Sequence, residues 1–394
     1  MSRYRLMPTP QQEQILGQHC AHARYVWNLA VEQHQFWRPG RASAPGYPAQ
    51  CRQLSEARIE YSWLAAGSQT VQQQALRDFS RAMTAFFTRT HRRPTWRKAG
   101  RDEGFRITGA QAQRVRRLSR HVGEVRIPKI GWVRFRWSRA IPAGAKSYRV
   151  TCDRAGRWHL AFAAIPEPIP APGNGEVVGV DRGVTVSAAL STGELLTVPR
   201  MSPQRQRRLV ALQRRLARAQ RGSKRRTRIK ATIVRLQARQ VDMRKDWCEK
   251  VSTNLARRFD IIRIEDLHIT SMTHSARGSV DRPGRNVRQK AGLNRGILAS
   301  GWGMLARRLE DKAFGRVDKI KPAYTSQKCS VCGTVDAKAR ESQAAFACRS
   351  CGYTGNADVN AARNIAAGHV VTARGRSPLG GRVNREPQPA LLSL

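Results

Sequence analysis

Cys329-Ser-Val-Cys332, fifteen intervening residues, Cys348-Arg-Ser-Cys351, then Asn356-Ala-Asp358-Val-Asn-Ala-Ala-Arg-Asn364: the fold reading of this chain turns on that stretch. Two Cys-x-x-Cys pairs at this separation have the spacing of a four-thiolate zinc ribbon. All four positions are thiols, so no coordination site stays open for a substrate, and the Zn²⁺ expected on Cys329, Cys332, Cys348 and Cys351 is not catalytic. Such a ribbon is either a structural clip, because thiolate–zinc bonding contributes directly to folding, or a contact for nucleic acid. Lys321, Lys328 and Arg349 around it favour some contact of the second kind. A carboxylate, Asp358, follows at once, which points to a small insertion beside an acidic metal site.

The charge balance narrows the partner class. Among 394 residues, Lys+Arg number 72 and Asp+Glu 27, a formal net charge of +45. Hydrophobic residues make up 40% of the chain, enough for a sizeable core over two or three domains. Such an excess of one sign repels itself unless anions accompany it. Nucleic acid is the natural companion, since each phosphate contact releases a condensed counterion. No run approaches the roughly 20 apolar residues that cross a bilayer. The start, MSRYRLMPTPQQEQ, lacks the apolar core of a secretory signal. Cys20, Cys51, Cys152 and Cys248 show no pairing logic, which suits a reducing cytoplasm. The expected location is therefore cytoplasmic and nucleoid-associated, in a bacterial or archaeal cell.

Working back from the ribbon, the periodicity changes three times. Residues 1–8 read as a short strand, and Thr9-Pro10 offers an N-cap followed by Pro at the first helical position. Residues 9–100 are mainly helical, with apolar spacing through Ile15, Leu16, Cys20, Ala23, Val26 and Trp27, and again through Val71, Ala75, Phe79 and Met83. From 101 to 166 the period is two: Phe105/Ile107, Val125/Ile127, Val133/Phe135 and Tyr148/Val150 read as short strands of a barrel or curled sheet. PEPIPAPGNG, residues 166–175, is a Pro/Gly-rich linker. An α/β pattern follows over 176–325. It holds apolar strands at EVVGVDRGV and DIIRIEDL, basic helices over 201–258 interrupted at Arg221–Lys224, a mobile loop over 270–294, and one helix over ILASGWGMLARRLEDKAF. The ribbon spans 326–354, a last helix 355–369, and the composition of 370–394 suggests a disordered tail.

Three acids carry the chemistry. Asp181 and Glu265 each end an apolar strand, and Asp358 opens the helix after the ribbon. Each has a plain alternative: a turn residue, a solvated strand end beside Asp266, and a helix cap. Taken together they can meet at one end of a sheet. There they would repel, and at least one would stay protonated, unless a divalent cation joined them. Hard oxygen ligands favour Mg²⁺ or Mn²⁺. Two such ions, roughly 3.5–4 Å apart, would align an attacking water and stabilise the leaving oxygen of a phosphodiester.

VVGVDRG (177–183), IIRIEDLH (261–268), TSQKCSVCG (325–333), CRSCGY (348–353) and DVNAARNIAAG (358–368) resemble the TnpB (OrfB) proteins of insertion sequences, RNA-guided DNA endonucleases related to type V CRISPR effectors. YRLMPTPQQ, ARYVWNLAVEQ, IPKIGWVRFRWSR and GRWHLAF extend the likeness through the first half. The resemblance implies a multidomain α/β architecture: an RNase H-like (RuvC) nuclease domain with an inserted four-Cys zinc ribbon, and an N-terminal wedge-type β-barrel interrupted by a helical recognition unit. It implies Asp181, Glu265 and Asp358 as the Mg²⁺-binding catalytic triad. It also implies a transposon-derived guide RNA and a double-stranded DNA target with a short adjacent motif read by the protein; the sequence leaves the oligomeric state open, with a monomer favoured. Two positions depart from the common pattern: Arg182, where an apolar residue is frequent, and Ala357, where Arg is.

Arg207, Arg208, Arg214, Arg215, Arg218, Lys224, Arg225, Arg226, Arg228 and Lys230 crowd one region. A solvated face is the plain reading. A groove gripping a guide–target duplex by its backbone accounts better for a single sign with few acids nearby. Trp27, Trp37, Trp63 and Trp96 are candidates for base stacking, though most are expected in the core. The competing functions are a compact type V CRISPR effector, a nuclease-dead RNA-guided repressor, against which the intact acids weigh, and a strand-transfer transposase.

Overall fold

The computed structural model describes residues 2–36, 43–164, 167–342 and 344–368. The chain divides into two compact units between residues 166 and 167. Trp37 and the tail expected to be disordered from 370 onward lie outside the described residues.

The N-terminal unit opens with β1 (Ser2–Met7) and closes with six further strands. Between them run α1 (Pro10–Gln35), α2 (Tyr47–Glu60), α3 (Ser62–Ala66) and α4 (Gln69–Phe87). Thr9 starts α1 with a full capping box: its Oγ1 accepts from the Gln12 N–H at 3.3 Å, and Gln12 Oε1 accepts from the Thr9 N–H at 3.1 Å. That pair satisfies two of the backbone donors a helix start leaves open, and loss of such a cap costs about 1 kcal/mol. The strands are β2 (Gly104–Thr108), β3 (Val115–Arg117), β4 (Val122–Ile127), β5 (Gly131–Arg136), β6 (Ser147–Cys152) and β7 (Trp158–Phe162). They form one antiparallel sheet in the order β2-β6-β7-β1-β5-β4-β3. The chain's first strand is therefore central. Its first four residues pair with β7, and Leu6 and Met7 pair with β5. Period-two alternation sends Tyr4, Leu6, Phe135, Tyr148, Leu160 and Phe162 into a core shared with α1 and α4. Trp27 belongs to that core and donates from Nε1 to the Thr95 carbonyl at 2.9 Å, whereas Trp63 and Trp96 stay 45% and 50% exposed.

The C-terminal unit is built on β8 (Val177–Asp181), β9 (Ala188–Leu190), β10 (Leu195–Leu196), β11 (Ile261–Glu265) and β12 (Val317–Ile320). Their order is β10-β9-β8-β11-β12. The first three form an antiparallel meander, and β11 and β12 continue it parallel to β8. Parallel neighbours need a crossover, which α5 (Pro203–Arg218) and α6 (Lys224–Arg258) supply before β11. Val178, Val180, Ile262 and Ile264 pack with Leu255, Leu305 and Leu309 in one apolar cluster.

Two expectations need correction here. The stretch 270–294 is not all loop: α7 (Ile269–Met272) and α8 (Val287–Ser300) occupy both its ends. Lys290 and Asn294 fix α8 by donating to the carbonyls of Met272 and Thr273, at 2.6 and 2.9 Å, a tertiary tie that polar composition hid. The single helix expected over 297–314 is broken at Gly301, whose φ of +74° is left-handed, and α9 (Trp302–Lys312) begins anew after it. The ribbon contributes β13 (Ala345–Ala347) and β14 (Thr354–Asn356), and α10 (Ala357–Ala367) follows without a gap.

Candidate metal sites and the acidic edge of the sheet

Side chains alternate across a strand, so one face of β8 and β11 carries Val178, Val180, Ile262 and Ile264 into the core. The other face carries Gly179, Asp181, Arg263 and Glu265. The register pairs Val180 with Ile264, which leaves Asp181 and Glu265 as the next residues of adjacent parallel strands. Helix α10 lies across this second face. A Cβ on Gly179 would collide with the Ala362 carbonyl and the Ala366 nitrogen, so α10 backbone replaces a side chain there. Arg263 reinforces the seat by donating to the Ala366 carbonyl. Asp358 stands one turn before Ala362 and hence on the same helix face, towards the end of β8. The cap of α10 is Asn356, whose Oδ1 accepts from the N–H groups of Asp358 and Val359 at 3.0 and 3.1 Å, so the Asp358 carboxylate is not spent on capping.

The three acids feel one another. Burial pushes the Asp181 carboxyl up to about 7, and the negative charges of Glu265 and Asp358 push the same way; Arg340 opposes them. Glu265 is buried, and its Oε1 accepts from the Thr325 hydroxyl at 2.7 Å. Asp358 Oδ1 accepts from Arg340 Nη2 at 2.9 Å. The three carboxylates are nevertheless not drawn into one tight cluster. Among the described residues, the only group of three or more Cys, His, Asp or Glu with all ligand atoms within 4.8 Å of one another is the cysteine set.

That set is assembled. Cys329 and Cys351 sulfurs are 3.7 Å apart, and those of Cys332 and Cys348 are 3.6 Å apart. Tetrahedral zinc–sulfur bonds of about 2.3 Å place sulfurs roughly 3.8 Å from each other, whereas a disulfide needs about 2.05 Å. The cluster can hold one metal ion. Two asparagines four residues apart on α10 clamp its base. Asn360 accepts from the Ser330 N–H at 2.9 Å and donates to the Lys328 carbonyl at 2.8 Å, and Asn364 donates to the Thr325 carbonyl at 3.0 Å. The strand-end reading of the sequence missed Thr325, Arg340, Asn360 and Asn364. The i, i+4 spacing of the two asparagines, on a helix whose other polar residues are Asp358 and Arg363, was the one signal available.

Of the ten basic residues singled out on α5 and α6, nine are exposed and form no ion pair among the described residues. Arg226 differs. It is half-buried and donates to the carbonyls of Leu216 and Ala219, at 2.6 and 3.1 Å, closing the C-terminus of α5. A small apolar cluster of Leu209, Ile229 and Ile233 joins the two helices. No helix among the described residues is long and apolar enough to cross a membrane.

In class, the fold is like that of Cas12f1. A solved Cas12f1–sgRNA–target DNA complex matches over 91% of this chain and 83% of that one, with a TM-score of 0.53 at 13% identity, a likeness of fold. Sequence carries the assignment further. A protein from Escherichia coli K12 described as a putative RNA-guided DNA endonuclease, InsQ, is 36% identical across 98% of this chain and 96% of its own. One from Streptomyces pristinaespiralis, also described as a putative RNA-guided DNA endonuclease, is 32% identical with the same coverage. Three family profiles match: an OrfB/IS605 helix-turn-helix domain over residues 2–38, an OrfB/IS605 probable transposase over 161–276, and a Cas12f1-like TNB domain over 302–365. The chain belongs to the TnpB (OrfB) family of insertion-sequence RNA-guided nucleases. The described part of the helix-turn-helix match is here one strand and one continuous helix, β1 and α1.

Proposed function

We propose that this protein is an RNA-guided DNA endonuclease whose single hydrolytic site is Asp181, Glu265 and Asp358. The observation that carries the reading is the mutual pressure of these acids: a half-buried aspartate driven up to about 7 by desolvation and by two neighbouring carboxylates. A carboxylate that only shapes the fold has no need of two like-charged neighbours, whereas metal sites commonly gather them. The strand order β10-β9-β8-β11-β12, a meander extended by two parallel strands, supports an RNase H-like (RuvC) domain. The donor set fits Mg²⁺ or Mn²⁺, being all carboxylate oxygen. Divalent ions held by the three acids would supply Lewis-acid stabilisation of the reacting phosphodiester oxygens.

The chain's own residues prepare that site. Thr325 fixes Glu265 in orientation through its hydroxyl. Arg340, reaching in from the ribbon, neutralises Asp358 and is placed to meet a phosphate charge. The four cysteines would carry Zn²⁺ and hold the loops that present Thr325 and Arg340. The exposed arginines and lysines of α5 and α6 suit the backbone of a structured guide RNA or its duplex with the target, where contact is electrostatic and independent of sequence. In this reading the N-terminal unit, a wedge-type barrel interrupted by its helices, reads a short motif beside the target. A monomer cuts both strands in turn.

The test is the purified ribonucleoprotein with target plasmid and Mg²⁺, against an EDTA control. Asp181→Ala should lower cleavage at least about 10³-fold while target binding persists, a loss of roughly 4 kcal/mol of transition-state stabilisation. Cleavage at the ordinary rate in that variant overturns the assignment. Joined products in place of free double-strand ends would mean strand transfer.

A further inference from the structure

Arg182 follows Asp181 and takes the opposite face of the sheet. It is 5% exposed. Its Nη2 donates to the Glu265 main-chain carbonyl, and its Nε has no hydrogen-bond partner among the described residues. The acids within its field are Glu265, Asp181, Asp266 and Glu310. Two of these already have a cation: Lys319 Nζ lies 2.9 Å from Glu310 and 3.8 Å from Asp266. The charge left to balance the buried guanidinium is that of Asp181 and Glu265. A buried, incompletely hydrogen-bonded arginine is costly unless it does something for its neighbours.

We propose that Arg182 is a permanent counter-cation built into the floor of the acidic site, a positioning residue that keeps Asp181 and Glu265 together without metal and thereby lowers the site's affinity for divalent ions. The inference rests on the reading of these acids as metal ligands. Two effects follow from one charge. It cancels part of the repulsion between the strand-end carboxylates, and it repels any cation that approaches them from the other face. Metal binding is then weaker, and the metal-free site keeps its shape.

The experiment counts Mn²⁺ by electron paramagnetic resonance on the full, zinc-loaded chain freed of nucleic acid, alongside thermal melts with and without Mn²⁺. Asp181→Ala is the blank for Mn²⁺ bound elsewhere. Wild type should bind more Mn²⁺ than the blank; equal binding would overturn the metal-ligand reading itself. Arg182→Leu should bind Mn²⁺ at least tenfold more tightly than wild type and melt lower without metal, with Mn²⁺ restoring most of the difference. Arg182→Lys should stay within about threefold of wild type. Equal or weaker Mn²⁺ binding in Arg182→Leu, with a melting loss that Mn²⁺ does not repair, makes the residue a plain strut and sinks the proposal. Should Arg182→Leu not fold, Arg182→Gln, which retains a donor for the Glu265 carbonyl, carries the same two readouts. If neither neutral variant folds with or without Mn²⁺, the proposal fails as well.

Discussion

The two candidate metal sites of the C-terminal unit share helix α10 and differ in how they wait for an ion. The four cysteine sulfurs stand at the separations a tetrahedral ion would impose. The three carboxylates stay apart, with Arg340 donating to Asp358 and Arg182 donating to the Glu265 main-chain carbonyl beside Asp181. Charge explains the contrast. Thiols carry no charge until they lose a proton. Hydrogen bonding with Thr334 lowers Cys332 to about 6, while, against the Tyr353 backbone hydrogen bond, desolvation and the neighbouring sulfurs push Cys351 up to about 12. The four therefore do not all carry charge together, and packing can assemble them. Carboxylates at neutral pH repel by several kcal/mol at short range in a low-dielectric pocket, and packing alone does not hold them together. In the proposed reading the cysteine set is a clip that shapes, and the three acids are a site kept under tension.

Breaking the clip tests whether the two are coupled, and it should have the largest effect. Cys348 is buried in the ribbon's own small core with Phe346 and Ala357. Structural zinc sites contribute on the order of 10 kcal/mol to folding in small domains. Cys348→Ser should therefore remove bound zinc, read by elemental analysis. It should lower cleavage by at least about 100-fold, although no acid is touched, because Thr325 and Arg340 lose their scaffold. Undiminished cleavage by a zinc-free variant would show that the two clusters are independent.

Proton linkage comes next. Asp181 stands at about 7 against an ordinary 3.8, so it binds its proton more tightly folded than unfolded. Between roughly pH 4 and pH 7 the unfolded chain then holds fewer protons, and stability falls as pH rises across that window. A fully expressed shift of this size corresponds to roughly 4 kcal/mol. In EDTA the melting temperature should decline from pH 4 towards pH 7 relative to Asp181→Asn, which carries no such proton. Arg340→Leu should carry the decline to higher pH, since it removes the cation that opposes the rise. Saturating Mn²⁺ should abolish it. A flat difference between wild type and Asp181→Asn would mean that the acids are not under tension.

Gly179→Ala probes the geometry in place of the charge. The added methyl meets α10 backbone on the face that sets Asp358 opposite Asp181. Overpacking of this kind costs about 1–3 kcal/mol, and a helix cannot yield as a side-chain tip can. Chemical denaturation should show that loss, with cleavage falling more than target binding does.

These effects also mark what the sequence could disclose. The cysteine spacing is local, so a ribbon is legible from four residues. Apolar alternation ending in Asp181 and in Glu265 marks strand ends, and the resemblance joined them to Asp358. The partners of the acids are not local: Thr325 lies 60 residues from Glu265, and Arg182 reaches across a strand to a carbonyl 83 residues away. No periodicity encodes such pairs. The breaks at Gly301 and before Val287 were hidden for the same reason, since a left-handed glycine and two side-chain-to-carbonyl ties decide them.

The smallest effect concerns the basic hairpin, and it extends the contrast between charges that found partners and charges that did not. Arg214 and Arg215 are exposed on α5, whereas Arg226 caps it from within. If the exposed pair meets phosphates, Arg214→Gln and Arg215→Gln should each lower the salt dependence of RNA binding by about one phosphate's worth of slope, with little change in melting. Arg226→Gln should do the reverse. It should lose about 1 kcal/mol of hairpin stability with its two carbonyl contacts and leave the salt slope nearly as it was. Filter binding across a salt series reads the first quantity, and denaturation reads the second. Identical behaviour of all three variants would mean that exposure on this hairpin does not distinguish a nucleic-acid contact from a structural one. It would also remove the reason for treating the nine solvent-facing cations as an interface.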